Sequence, residues 1–382
     1  MKRFLKEASR MPAARGVGAL VILAIIILAV GPLARGGQAA GVTRTYYIAA
    51  DEVDWDYAPT DINQITGQAF GDAENVFVQQ GRDRIGKVYI KALYREYTNG
   101  SFATLKPIPP EWQHLGALGP LLRAAVGDTI KVVFKNKTSF PASMHPHGVF
   151  YLKDSEGAPY NDGTSGANKA DDSVPAGETH TYNWLVPERA GPGPMDPSSI
   201  MWMYHSHVSE PGDTNAGLIG PIVVTRAGNA RLDGSPRDVA REFVTMFTVF
   251  DENTSLYLDA NIQKFTGSPP TVNPDDDAFI ESNLMHSING FVYGNLPGLT
   301  MNKGEKVRWY LMGMGTEVDL HTPHWHGNTA LLNGNRTDVV ELLPASMKVA
   351  DMTPDNAGAW LYHCHVNDHI DAGMLALFTV GP

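Results

Sequence analysis

The chain has 382 residues, 43% hydrophobic and 19% charged, with 30 Lys and Arg against 41 Asp and Glu, a net charge of −11. That acidity argues against a nucleic-acid binder, whose phosphates call for a basic surface. A single Cys excludes any disulfide within the chain, and the length accommodates two domains of ordinary size.

The N-terminus reads as a targeting segment. Lys2, Arg3, Lys6, Arg10 and Arg15 precede an uncharged run, Gly16 to Leu33, and small residues follow at Gly36-Gly37-Gln38-Ala39-Ala40. This is the pattern of a secretory signal. The run of 18 residues is at the lower edge of what spans a bilayer, so an uncleaved membrane tether is the alternative. Either reading makes the protein exported, to a periplasmic or extracellular site. Without residues 1–40, 24 basic and 40 acidic residues remain, a net charge of −16. Such a surface suits cationic substrates.

Beyond residue 43 the chain predicts short strands and turns. Val88–Tyr94 and Thr129–Phe134 are rich in β-branched and aromatic residues, and Ala125–Asp128 is a turn leading into the second. His145-Pro146-His147 follows, the first of four His-x-His pairs. On a strand, residues i and i+2 share a face, so each pair can present two imidazoles together. Asp154–Asp172 and Pro187–Ser199 predict long loops, with His205-Ser206-His207 after them. Ala227–Arg237, containing Gly, Asn and Pro, fits a linker. Asn302–Glu305 is a turn into the strand Val307–Leu311. His321 precedes the third pair, His324-Trp325-His326. The fourth, His363-Cys364-His365, encloses the only cysteine, with His369 and Met374 behind it. No long amphipathic helix is expected.

These residue types belong to copper chemistry. Thiolate, imidazole and thioether suit a blue copper ion; Cys364, His369 and Met374 supply three of its four ligands, and His321 is free to complete it. His363 and His365 project to the opposite strand face from Cys364, so a second metal centre can stand one residue away. One His-x-His pair is an ordinary surface coincidence; four among 13 histidines, one of them around the sole Cys, are a ligand set. The chain is also duplicated. Tyr204-His-Ser-His-Val208 aligns with Tyr362-His-Cys-His-Val366, and Met144-His-Pro-His147-Gly with Pro323-His-Trp-His326-Gly. Ser206, Ala142 and Leu218 stand where the second half has Cys364, His321 and Met374, so the first half should hold no blue copper.

In these four motifs the chain resembles the multicopper oxidases, over roughly residues 43 to 382. The resemblance implies an all-β fold of two tandem cupredoxin-type Greek-key β-sandwich domains, 43–228 and 238–382. It implies four coppers per chain. Type 1 would take His321, Cys364, His369 and Met374; type 2, His145 and His324; the type 3 pair, His147, His205, His207, His326, His363 and His365. Electrons from a reductant would arrive through His369, and O2 would be reduced to water at the other three coppers. Glu156, nine residues after His147, is the candidate proton donor.

Further segments are similar to the ceruloplasmin and hephaestin branch, among them Tyr46-Tyr-Ile-Ala-Ala-Asp51, Gly217-Leu-Ile-Gly-Pro221 and Ile288-Asn-Gly-Phe-Val-Tyr-Gly-Asn295. That resemblance implies an iron(II) site beside the type 1 copper, on Glu281, His286, Asp368 and, from a neighbouring unit, Glu317. It also implies a homotrimer, three two-domain copies closing the ring that ceruloplasmin makes from three tandem pairs. A laccase-like oxidase of phenols or amines is the rival, expected if the cleft at His369 is apolar. Copper nitrite reductase shares the architecture but keeps its blue copper in domain 1, which Ser206 opposes. A copper storage protein without turnover is the reading from another class.

Overall fold

The structure, a computed structural model, describes residues 41–316 and 318–382. The expected export segment, residues 1–40, lies outside them, as does Glu317. Among the described residues no helix is long and apolar enough to cross a membrane.

Before residue 226 the chain forms β1 (Thr43–Asp56), α1 (Asp72–Val78), β2 (Val88–Tyr97), β3 (Leu122–Ala125), β4 (Thr129–Asn136), β5 (His145–Pro146), β6 (Thr179–Leu185), β7 (Ser199–His205), α2 (Gly212–Ala216) and β8 (Ile219–Thr225). They build two four-stranded sheets, β2-β1-β4-β6 and β3-β8-β7-β5. After residue 240 come β9 (Arg241–Asp251), α3 (Leu258–Phe265), α4 (Asp277–Ser282), β10 (Leu284–Ile288), β11 (Thr300–Asn302), β12 (Val307–Gly313), β13 (Pro323–Trp325) and β14 (Ala330–Leu332). β15 (Asn335–Thr337), β16 (Met347–Met352), β17 (Gly358–Cys364), α5 (Asn367–Asp371) and β18 (Leu375–Gly381) complete the chain. These strands form sheets β10-β9-β12-β16-β14-β15 and β11-β18-β17-β13.

Side-chain pattern explains which strands lie where. In β4 burial alternates, with Ile130, Val132 and Phe134 inside and the intervening residues partly exposed, as a strand with one wetted face requires. β8 and β12 are buried along their whole length because each is covered on both faces. From β12, Val307, Trp309 and Leu311 enter the core of the second half. Tyr310 and Met312 pack with Met201 and Met203 of β7 in a core that both halves share.

Polar residues also cross between the halves. Arg123 pairs with Glu242 through two contacts, 3.1 and 2.8 Å. Lys91 and Glu252 are both fully buried and joined by a short ion pair, with the Tyr57 hydroxyl donating to Glu252 at 2.5 Å. Removing one member of such a pair strands the other charge in a medium that cannot solvate it. Lys91→Met is therefore expected to cost about 3–5 kcal/mol in urea unfolding. A loss below about 1 kcal/mol would mean the pair does not hold the halves together.

The stretches expected as loops are loops. Asp154–Asp172 contains one short 3₁₀ turn, Gly166–Lys169, and Pro187–Ser199 another, Glu188–Ala190. The longest described helix has eight residues.

Candidate metal centres

Two antiparallel strand pairs, one in each half, carry the His-x-His pairs in the same register. β5 and β7 place His145 opposite His205, and β13 and β17 place His324 opposite His363. The pairing continues one step on, His147 N–H to Met203 O at 2.9 Å and His326 N–H to Leu361 O at 3.0 Å. Each pair then ends on a glycine in the left-handed region, Gly148 (φ +74°) and Gly327 (φ +65°). A Cβ there would stand 2.1 Å from Trp202 or 2.6 Å from Trp360, so only glycine lets the strand leave the site under the packed indole.

The result is two quartets of imidazoles. In the first half, His145 lies 5.6 Å from His147, 5.6 Å from His205 and 5.3 Å from His207 between ring centroids. In the second, His324 lies 4.8 Å from His326, 5.3 Å from His363 and 5.5 Å from His365. Within each, two Nε2 atoms converge to 3.1 Å, His147 with His205 and His326 with His363. Among the described residues no ring pair of this kind joins one quartet to the other.

The rings are held as ligands need to be held. Nδ1–H of His145 donates to the Glu156 carbonyl at 2.7 Å, His324 to Asp338 at 2.9 Å and His363 to Cys364 at 2.6 Å. A carbonyl can only accept, so Nδ1 carries the proton and Nε2 keeps its lone pair. Burial, with the neighbouring imidazoles, lowers His147 and His363 to a pKa of about 4. Both are neutral at pH 7, the form that binds a metal.

Cys364 occupies the other face of β17. One ligand atom each from His321, Cys364 and His369 lie within 4.8 Å of one another. Cys364 Sγ is 3.5 Å from His369 Nδ1 and accepts from the Thr322 backbone N–H at 3.4 Å. His321 Nε2–H donates to the Met314 carbonyl at 2.9 Å, while its Nδ1 is buried without a partner. A buried acceptor left open beside a thiol and a second imidazole is an unmet demand that a soft cation fills. Met374 is fully buried in the same core, its N–H bonded to the His369 carbonyl at 2.8 Å. The residues fit a copper ion. In the first half the matching place is closed by protein: Ser206 Oγ donates to Asp213 at 2.6 Å, and Ala142 and Leu218 are fully buried.

Of the expected iron ligands, His286, Glu281 and Asp368 lie near His369, while Glu317 is outside the described residues. His286 in β10 has its ring centroid 5.2 Å from that of His369, which is 5.0 Å from that of His321. Nδ1–H of His286 donates to the Leu284 carbonyl at 2.9 Å, leaving Nε2 open. Burial and the His369 ring lower the His286 pKa, while the charges of Glu281 and Asp368 oppose them. Those two carboxylates, on α4 and α5, are exposed. Glu156 is tied to Lys153 at 2.5 Å and to the Tyr160 hydroxyl at 3.0 Å; what touches His145 is its backbone carbonyl.

Glu210 is a residue that sequence reasoning missed. Its carboxylate lies 3.1 Å from His205 Nδ1 and 3.3 Å from His207 Nε2. Burial would raise its pKa, but the hydrogen bond from His205 and the nearby imidazoles hold it low. Its place three residues after His207 was the available signal.

Comparison with known proteins agrees with this geometry. Two family profiles, each described as multicopper oxidase, match residues 116–229 and 266–382. The chain is 49% identical over 348 residues to mouse "Ferroxidase HEPHL1", 46% over 347 to human hephaestin and 44% over 347 to human ceruloplasmin. These matches cover 90%, 89% and 88% of this chain but 30%, 29% and 32% of the relatives, so the chain spans about a third of their length. Among solved structures, a multicopper oxidase aligns with a TM-score of 0.55 at 19% identity over 89% of both chains. A copper nitrite reductase from Nitrosomonas europaea aligns with 0.53 at 17% identity, over 88% of this chain and 94% of its own. At those identities the likeness is one of fold.

Proposed function

The chain belongs to the multicopper oxidases, on the ceruloplasmin and hephaestin branch, and from that premise we propose that it oxidises iron(II) with O2. The observation that carries the reading is the double use of β17. Cys364 faces one imidazole set and its neighbour His363 faces another, so one peptide step joins where electrons arrive to where O2 is reduced.

Type 1 copper would be held by His321, Cys364, His369 and Met374. Type 2 would be held by His145 and His324, and the type 3 pair by His147, His205, His207, His326, His363 and His365, four coppers per chain. Bound copper supplies one-electron chemistry at Cys364 and the four-electron reduction of O2 to water at the imidazole quartets. The protein's part is to hold Nε2 lone pairs inward by the Nδ1–carbonyl bonds and to support Sγ through the Thr322 N–H. Glu156 is the carboxylate proposed to deliver protons beside His145, with Glu210 as its competitor. The halves, divided over Ala227–Arg237, are proposed as domains 43–228 and 238–382. Since no ring pair among the described residues joins the two quartets of one chain, a complete cluster is proposed to take one quartet from each of two copies, three copies closing a ring. Export, by a cleaved signal or a membrane tether in residues 1–40, is the proposed location.

Iron(II) would bind Glu281, His286, Asp368 and, from a neighbouring subunit, Glu317. Carboxylates hold iron(III) more tightly than iron(II), which favours its oxidation next to His369. Glu281→Ala is expected to lower kcat/KM for iron(II) roughly 30- to 1000-fold, or about 2–4 kcal/mol, with little change for a bulky phenol. Equal losses on both donors would replace this reading with a laccase-like oxidase.

A further inference from the structure

The wall of the proposed iron site is not built by the second half alone. Between β1 and β2 the chain makes an excursion that crosses to the other half and is pinned there at both ends. At its start, Thr60 N–H and hydroxyl both bond Asn295 Oδ1, at 3.1 and 2.7 Å, and Gln64 N–H bonds the Tyr293 carbonyl at 2.9 Å. At its end, Gly267 N–H bonds the Gly81 carbonyl at 3.0 Å and Ser268 N–H the Arg82 carbonyl at 2.9 Å. α1 lies between these two seams and packs against α4, which carries Glu281.

From α1, Phe77 reaches the site. It is 7% exposed, and its ring stands 5.8 Å from His286, edge to face at 73°. His286 in turn is 5.2 Å from His369. The ring therefore packs against one side of His286 and takes up space there that a planar organic donor would need. Around this apolar wall the exposed side chains include four carboxylates, Asp72 on α1, Glu281 on α4, Asp368 and Asp371 on α5, together with the apolar Val76 and Ile280. A small cation is drawn in by the rim and needs no stacking face; an aromatic donor needs the face and finds it filled.

We propose that Phe77, supplied by the first half to a site of the second, selects for small cationic donors by closing the His286 face to planar organic ones. This rests on the reading of His369 as the edge through which electrons arrive. Phe77 also belongs to the core shared by the halves, so a test must separate selection from packing.

The test compares copper-loaded wild type, Phe77→Ala and Phe77→Leu on iron(II) and on tetramethyl-p-phenylenediamine. Modification of His286 by diethyl pyrocarbonate, mapped by peptide mass spectrometry, is measured alongside. Phe77→Ala is expected to raise kcat/KM for the diamine about tenfold, to change that for iron(II) less than about threefold, and to speed His286 modification. Phe77→Leu, which keeps much of the apolar volume, gives the same direction with a smaller effect and decides the matter if the alanine variant loses its fold. Parallel changes on the two donors, or unchanged His286 modification, make Phe77 a packing residue and overturn the proposal. A wild type inactive on iron(II) would sink the iron reading instead, and the diamine and labelling results would still judge Phe77.

Discussion

Cys364→Ser should give a folded protein with no blue thiolate-to-copper absorption, up to three coppers per chain and no measurable turnover with iron(II). A serine hydroxyl stays protonated at neutral pH and offers a hard oxygen where a soft thiolate is needed. The first half already shows what serine does at this place: Ser206 spends its hydroxyl on Asp213 at 2.6 Å and leaves no ligand. The fold should survive because Cys364 is a small buried residue in a core that also holds Trp309, Trp325 and Tyr362. Visible absorption and metal analysis on the same sample check the prediction. A blue band retained in the variant would move the type 1 site away from Cys364.

The second large effect concerns copies of the chain. His147→Ala removes a ligand from the first quartet and His363→Ala from the second, and each variant alone should be inactive. If every cluster is assembled from quartets of two different copies, co-refolding the variants in equal amounts restores activity. By random assortment about a quarter of the junctions then join two intact quartets. Light scattering of the mixture should report a trimer. An active, fully copper-loaded monomer, or mixed trimers without recovered activity, would contradict the shared cluster.

Much of the candidate site's geometry was legible because the His-x-His pairs follow strand periodicity. His145 and His147, or His363 and His365, project to one face by spacing alone, and the His145–His205 and His324–His363 registers then follow from pairing two such strands. The duplication also pointed to the closed first-half site, since Ser206, Ala142 and Leu218 offer no thiolate, imidazole or thioether. What sequence did not reveal depends on contacts between distant segments. α1 has seven residues and no readable period, and nothing local sends Phe77 to His286, some 200 positions on. Nothing local pairs Lys91 with Glu252, 161 positions on, and the halves close over both. β12 reads as an apolar strand interrupted by Arg308, and only its position between two cores, with Asp351 beside the guanidinium, explains why both faces are buried.

The copper-loaded protein is supplied with iron(II) in air-saturated buffer, and iron oxidised is measured against O2 consumed, with peroxide assayed in parallel. Complete reduction of O2 to water requires four iron(II) per O2 and no peroxide, and the paired centres on β17 predict that result. Two iron(II) per O2 with peroxide released, or no O2 uptake above the copper-free protein, would contradict it.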